Sequence, residues 1–330
     1  MYHTILSTVS PFDKNLSAIV KTDNRVQICT THKYRFNIIN LDKDCDDNYE
    51  SKEVSIETNK EVIVDKDYII QSKWLYLYDK AFLLILLHNG LKIYDCDGKD
   101  IIFNHTFGGK SNECPDNNHS SGVTSVDGRV ICIGSSNGSI LTFIMDDHGH
   151  ITYDDTCNQH ISNRPITDLV SNELNLVISC DDSGKIWIWD YITSQNKFHE
   201  ICTFEGYNGF SCNCLAIYNN YVCAGYGSGH LRFFDIQNKV LICEISGHSK
   251  WITSINICPQ SGRLLSTSED SFVRVWQLYE VNDCLKVNHE FSQHIANHML
   301  FGGVFLDKSG QSFCVSGYDS LELHRFSTRV

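Results

Sequence analysis

Four carboxylates raise the first question of chemistry. Asp42, Asp44, Asp46 and Glu53 stand where the twelve-residue loop of a calcium EF-hand places its ligands at positions one, three, five and twelve. Position six is Asp47, where such a loop needs a glycine for its sharp turn, and no helical pattern flanks the stretch. The residues therefore read as a solvated acidic connection between strands. Gly108-Gly109-Lys110-Ser111 has the ending of a phosphate-binding loop, but its first glycine would fall at Asn104 and no helix pattern follows. His294 and His298 have the spacing of zinc ligands on a helix, without the intervening Glu of a metalloprotease or a clear third ligand. Cys212 and Cys214 would share one face of a strand, where small residues are needed for packing alone. Neither a metal nor a cofactor is expected.

The stretch 247–278 organises the rest. It opens with Gly247-His248 and carries two short apolar-alternating runs, 252–257 and 263–267, around the turn Pro259-Gln260-Ser261-Gly262. A second turn, Glu269-Asp270-Ser271, leads into a run ending near Trp276. This pattern resembles a WD repeat, in which four antiparallel strands make one propeller blade. The resemblance implies a hydrogen-bonded structural tetrad of His248, Ser266 (or Ser268), Asp270 and Trp276. A buried indole N–H, an imidazole and a carboxylate each need a partner, and a closed relay satisfies them together. Ser, His and Asp are also the residue types of a nucleophilic triad, but the spacing is that of a blade and no catalytic residue is expected.

Gly-containing turns followed by aromatic-ended strands recur through the chain. Tyr94, Phe143, Trp189, Phe234 and Phe326 occupy the position of Trp276, at a period of roughly 45 residues. These make six blades. A seventh, more degenerate, is drawn from 15–20, 25–31 and 34–41, with Ile39 near the aromatic position. Residues 2–9 form a further strand, and the last blade lacks an outer one. Pairing the two leaves no open edge where the ring joins. The expectation is an all-β, seven-bladed WD-repeat β-propeller, closed by an N-terminal strand, with 1–330 as one domain.

A net charge of −13 argues against a nucleic-acid binder that works by neutralising phosphate, and against an anionic membrane surface. The longest apolar run, 81–87, is far short of a membrane span, and no signal peptide is visible at the N-terminus. Fifteen cysteines are scattered, mostly within strand-like apolar runs and without a CxxC pair. They read as free thiols in a reducing, cytoplasmic setting.

Three segments resemble the WD repeat-containing protein 54 family: 224–229, 262–278 and 309–327, supported by Arg164-Pro165-Ile166-Thr167-Asp168 and the turn Asp181-Asp182-Ser183-Gly184. The resemblance implies a non-catalytic cytoplasmic propeller acting in protein complexes, with ties to growth-factor-receptor and ubiquitin signalling. Propellers usually bind on the face carrying the d–a and b–c loops. By alignment to the tetrad blade, the candidates there for a protein or peptide partner are Trp251, Glu269, Asp181, Arg164, Tyr226 and Tyr318. The alternative is an enzyme or small-ligand binder using the central channel, which would need convergent titratable residues that the sequence does not arrange recognisably.

Overall fold

The computed structural model describes residues 2–11, 16–21, 25–42, 49–56, 68–107, 119–160, 163–282 and 284–327. Every regular element among them is a β-strand, and the strands form seven four-stranded antiparallel sheets, the blades of a β-propeller. Blades 1 to 6 are consecutive in the chain: 16–55, 69–106, 119–160, 166–204, 212–246 and 252–294. Strands run a to d in chain order within each. Blade 7 takes strands a to c from 300–327 and its strand d from Tyr2–Leu6. Backbone contacts group the chain into two compact units. One holds Met1–Ile63, Cys223–Phe233 and Ile242–Val330; the other holds Val64–Val222 and Phe234–Leu241.

In the first unit, apolar residues cluster between successive sheets. Leu265, Val275, Leu300, Phe313, Val315 and Phe326 join blade 6 to blade 7. Ile5, Ile28, Ile39, Val304 and Leu323 join blade 7 to blade 1. Full burial of each such side chain contributes roughly 1.5–3 kcal/mol. Strand b is covered on both faces, so Arg263–Ser268 is buried at every position but its first. Strand d is the outer strand, and Cys284–His294 is mostly exposed. That two-sided burial takes in Ser266 and Thr267 along with Leu264 and Leu265, so both faces of strand b are core faces. The first strand of blade 6 is bulged between Ile252 and Ser254. The hydroxyl of the extra residue, Thr253, donates to Leu300 O at 2.7 Å, and Asn256 Oδ1 accepts from Phe305 N at 3.0 Å, so blade 6 is tied to blade 7 by hydrogen bonds as well.

The second unit repeats these devices. Leu84, Leu86, Val123, Ile131 and Phe143 pack between blades 2 and 3. Val130, Cys132, Leu169, Val177, Trp187 and Trp189 pack between blades 3 and 4. The long apolar run 81–87 is strand b of blade 2. Blade 4 is bulged between Ile166 and Asp168, and Thr167 donates to Cys212 O just as Thr253 does to Leu300 O. Tyr94, Phe143, Trp189, Phe234, Trp276, Phe326 and Ile39 are all buried, so the repeated position is a core position in every blade.

Closure follows the expected pairing with a shorter strand. Tyr2 pairs with Phe326 and Leu6 with Glu322, antiparallel. The strand stops at Leu6 rather than at residue 9 because Ser7 turns its hydroxyl to Thr30 Oγ1 at 2.7 Å and accepts from Val9 N at 3.2 Å. Blade 1 gains a fourth strand that the sequence reading lacked, Tyr49–Ser55. It absorbs the end of the calcium-like stretch: Glu53 sits in the sheet and pairs with Arg35 Nη1 at 3.2 Å. Residues 43–48 of that stretch, and the 108–111 glycine-lysine sequence, lie outside the described residues.

Removing residues 2–9 is expected to lower stability by about 3 kcal/mol or more, because it uncovers strand c of blade 7 and Ile5 leaves the core. Denaturant unfolding of the truncated chain checks this; an unchanged midpoint would show that closure does not depend on the strand.

Candidate functional site

His248 lies in the loop before strand a of blade 6 and is buried. Its Nε2 is 2.8 Å from Ser266 Oγ on strand b, and Trp276 Nε1 on strand c donates to the same oxygen at 2.9 Å. Its Nδ1 is 3.1 Å from each oxygen of Asp270 in the b–c turn. One proton assignment satisfies the set. The Trp276 N–H donates to Ser266, the Ser266 O–H to His248 Nε2, and the Nδ1–H to the Asp270 carboxylate. Asp270 also accepts from the amides of Ser249 and Phe272, each at 3.0 Å, which fixes the turn in which Ser271 adopts φ 68°. Sequence reasoning missed Arg274, whose Nη1 donates to Asp270 Oδ2 at 3.4 Å and stands 2.7 Å from His248 Nδ1, so that both donors converge on the one carboxylate.

Burial pushes the His248 imidazole below its ordinary value; Asp270 pulls the other way and the Arg274 charge lowers it further. Burial works against the Asp270 carboxylate, but the His248 hydrogen bond and the amides of Ser249 and Phe272 outweigh it. They hold the group well below the usual carboxylate range. A neutral imidazole beside an ionised carboxylate is common to structural relays and catalytic triads, and the serine tells them apart. Ser266 is fully buried and already bonded on both sides, so no substrate reaches it as a nucleophile. Blade 4 keeps a shorter version that sequence reasoning overlooked: Trp189 Nε1 donates to Ser179 Oγ at 3.1 Å. The signal was present, since Ser179 precedes Trp189 by the same ten residues that separate Ser266 from Trp276.

The candidate surface residues divide. In the first unit, Trp251 is 51% exposed and Glu269 is half-buried, linked by a backbone bond from Glu269 N to Trp251 O at 3.1 Å. The indole lies against Gly227, where an added Cβ would come within 3.3 Å of the ring. Tyr318 is 43% exposed and packs on Phe301 at 5.3 Å. Its backbone repeats the Trp251–Glu269 geometry one blade on: Tyr318 N donates to Met299 O at 2.8 Å, and Met299 is also 43% exposed. Met299 was not foreseen; its place immediately before strand a, as Trp251 stands immediately before Ile252, was the available signal. Tyr226 requires correction. It is fully buried, with the Arg232 guanidinium 5.5 Å from its ring, and packs rather than presents. In the second unit, Arg164 is exposed beside Asp182 at 3.9 Å. Asp181 also requires correction: at 1% exposure its Oδ1 accepts from Ser183 N, Ser183 Oγ and Lys185 N, and so caps a turn.

The cysteine pair is accounted for by packing, and His294 and His298 do not assemble a site with each other. Cys212 and Cys214 are buried in one strand, and burial, with the Cys180 thiol beside it, pushes the Cys212 thiol far up. Burial takes Cys314 to about 12, so these thiols are not nucleophiles. His294 ends a strand with its ring 4.9 Å from Phe272, and His298 lies in the following turn, so the pair does not share a helix. In the first unit a cavity of about 370 Å³ is lined by Ser10, His32, Lys33, Tyr34 and Arg35 among others. Among the described residues its lining includes no carboxylate, and His32 Nδ1 is already 2.5 Å from Ser10 O. An acid–base pair is not assembled there.

The family model described as WDR54 matches residues 52–329. The chain is 28% identical to WD repeat-containing protein 54 of Mus musculus over 281 residues, 80% of each chain. It is 27% identical to WD repeat-containing protein 54 of Homo sapiens over the same shares. Among solved structures, a chain of the crystal structure of the mitotic checkpoint complex superposes with a TM-score of 0.73. It covers 99% of this chain and 95% of that one at 15% identity, a likeness of fold.

Two outcomes test the relay. His248→Ala, Asp270→Ala and Trp276→Phe are each expected to cost about 1–3 kcal/mol in denaturant unfolding, with double mutants losing less than the sum. The pH dependence has a definite sign. A histidine whose folded value is depressed takes up its proton more readily once unfolded. Its contribution is complete above about pH 6.5 and shrinks as the pH falls below that. Asp270 adds stability that is present above about pH 3.9 and lost in stronger acid. The melting temperature should therefore drop between about pH 7 and pH 5, and His248→Gln should flatten that decline.

Proposed function

The chain belongs to the WDR54 family, and from that premise we propose that it is a non-catalytic interaction scaffold holding a partner protein or peptide on the face of blades 6 and 7 that carries Trp251. WD-repeat propellers are in general protein-interaction scaffolds. The observation that carries the assignment here is a repeated one. Trp251 and Met299 each precede strand a of their blade, Glu269 and Tyr318 each follow strand b, and the same backbone bond joins each pair. Three large apolar side chains are thereby held at the surface from backbone that is fixed. Aromatic and Met side chains on a rigid base lose little entropy on contact, which is why such residues dominate interfaces. Glu269 beside the Trp251 indole suits a Lys or Arg of the partner, through charge and through cation–π contact. The net charge of −13 favours the approach of a basic segment.

The proposed setting is the cytoplasm. Every cysteine whose side chain is described is a free thiol, which supports a reducing compartment. No helix among the described residues is long and apolar enough to cross a membrane. Growth-factor-receptor or ubiquitin-linked complexes are the proposed context, and partner identification tests it directly.

Trp251→Ala combined with Glu269→Lys is expected to leave the fold intact and to cut recovery of the principal partner by ten-fold or more. Gln260→Lys, in the exposed a–b turn at the other end of blade 6, should leave recovery unchanged. Quantitative affinity purification with the three proteins checks both. Loss in the Gln260 variant with retention in the double mutant would place the interface on the opposite face.

A further inference from the structure

His298, Glu322 and His324 come together in blade 7, each offering a ligand atom within 4.8 Å of the others. Glu322 and His324 alternate on strand c, so their side chains leave the same face of the sheet. His298 arrives from the turn before strand a, and its ring centroid is 5.0 Å from that of His324. The second shell settles which ring atoms face a ligand. His298 Nδ1 is 3.0 Å from Ala296 O and donates its proton there, which leaves the lone pair on Nε2. His324 Nδ1 is 2.7 Å from the Tyr2 hydroxyl, and the two rings stack at 5.8 Å. Its Nε2 is buried and has no hydrogen-bond partner among the described residues, in a side chain only 2% exposed. An orphaned buried nitrogen is destabilising unless something pairs with it. Ser320 Oγ lies 3.3 Å from His298 Nε2.

We propose that His298, Glu322 and His324 bind a zinc ion through the two Nε2 atoms and the Glu322 carboxylate. Two imidazoles and one carboxylate are a ligand set suited to zinc, with water completing a tetrahedron. Ligands about 2 Å from the metal stand about 3.3 Å apart, so atoms already within 4.8 Å of one another need only close together, and the exposed Glu322 side chain is free to swing inward. Hydrogen bonding of each imidazole through Nδ1 is the outer-shell arrangement that orients metal-bound histidines. The ion joins the turn before strand a to strand c, and through Tyr2 it reaches strand d, the closing strand. The site lies beside Met299 and Tyr318 of the proposed binding face, but the metal readouts below do not depend on that assignment.

The test uses the full chain. Zinc-loaded protein passed through a desalting column is expected to retain one zinc per chain by elemental analysis, and zinc should raise its melting temperature. Cobalt substitution should give the visible bands of a tetrahedral nitrogen–oxygen site without thiolate charge transfer. His298→Ala and Glu322→Gln should abolish retention and the thermal shift, while His294→Ala, an exposed histidine outside the cluster, should not. Tyr2→Phe keeps the stacked ring but loses the hydroxyl, and should weaken zinc binding about ten-fold. Should His298→Ala fail to fold, Glu322→Gln carries the test, because that carboxylate is exposed. Absence of stoichiometric zinc in the wild type, thiolate bands with cobalt, or wild-type retention in Glu322→Gln overturns the proposal.

Discussion

A four-stranded twisted sheet with two apolar faces cannot bury either one alone, and everything else in this protein answers to that constraint. Within each unit the faces are covered by the neighbouring sheets. The Phe313, Val315 and Phe326 side chains of blade 7 pack with Leu265 and Val275 of blade 6. Packing of this kind is non-directional and would tolerate sliding. Direction comes from the bulged first strands, where Thr253 and Thr167 each send a hydroxyl to a carbonyl of the next blade. Burial supplies most of the stabilisation, and the hydrogen bonds fix the register in which it is obtained.

Blade 6 carries a further device. The relay from Trp276 through Ser266 and His248 to Asp270 crosses the sheet and ends in the b–c turn. Asp270 then fixes that turn through the amides of Ser249 and Phe272. Glu269 emerges one residue earlier and grips the carbonyl of Trp251. The buried network thus has a surface consequence. It immobilises the backbone that displays the half-exposed indole, so a structural relay serves a binding surface without touching it. Blade 7 lacks the relay, with Phe326 where the Trp would stand, and places His298 and His324 in the space instead. The same position in the repeat therefore holds a closed network in one blade and an open nitrogen in the next.

The sequence by itself determined the elements that depend on short separations. A relay residue ten positions from its Trp, a turn carboxylate, and an aromatic recurring once per blade are all set by local chain geometry, so the tetrad and the core positions from Ile39 to Phe326 were legible. The need to close a sheet edge even indicated which strand would pair with the last blade. The tertiary structure alone decided what depends on which surfaces meet. Asp181 ends a strand b and Trp251 precedes a strand a, both at blade ends, yet one turns its carboxylate onto three donors of its own turn and the other rests on Gly227 and faces solvent. Tyr226 disappeared into the packing because both faces of its strand are covered. Tyr2 is separated from His324 by nearly the whole chain and meets it only because the N-terminal strand crosses to the last blade. Spacing along the chain fixes backbone geometry within a few residues; burial and ligand convergence depend on contacts between distant segments, and those exist only once the sheets have packed.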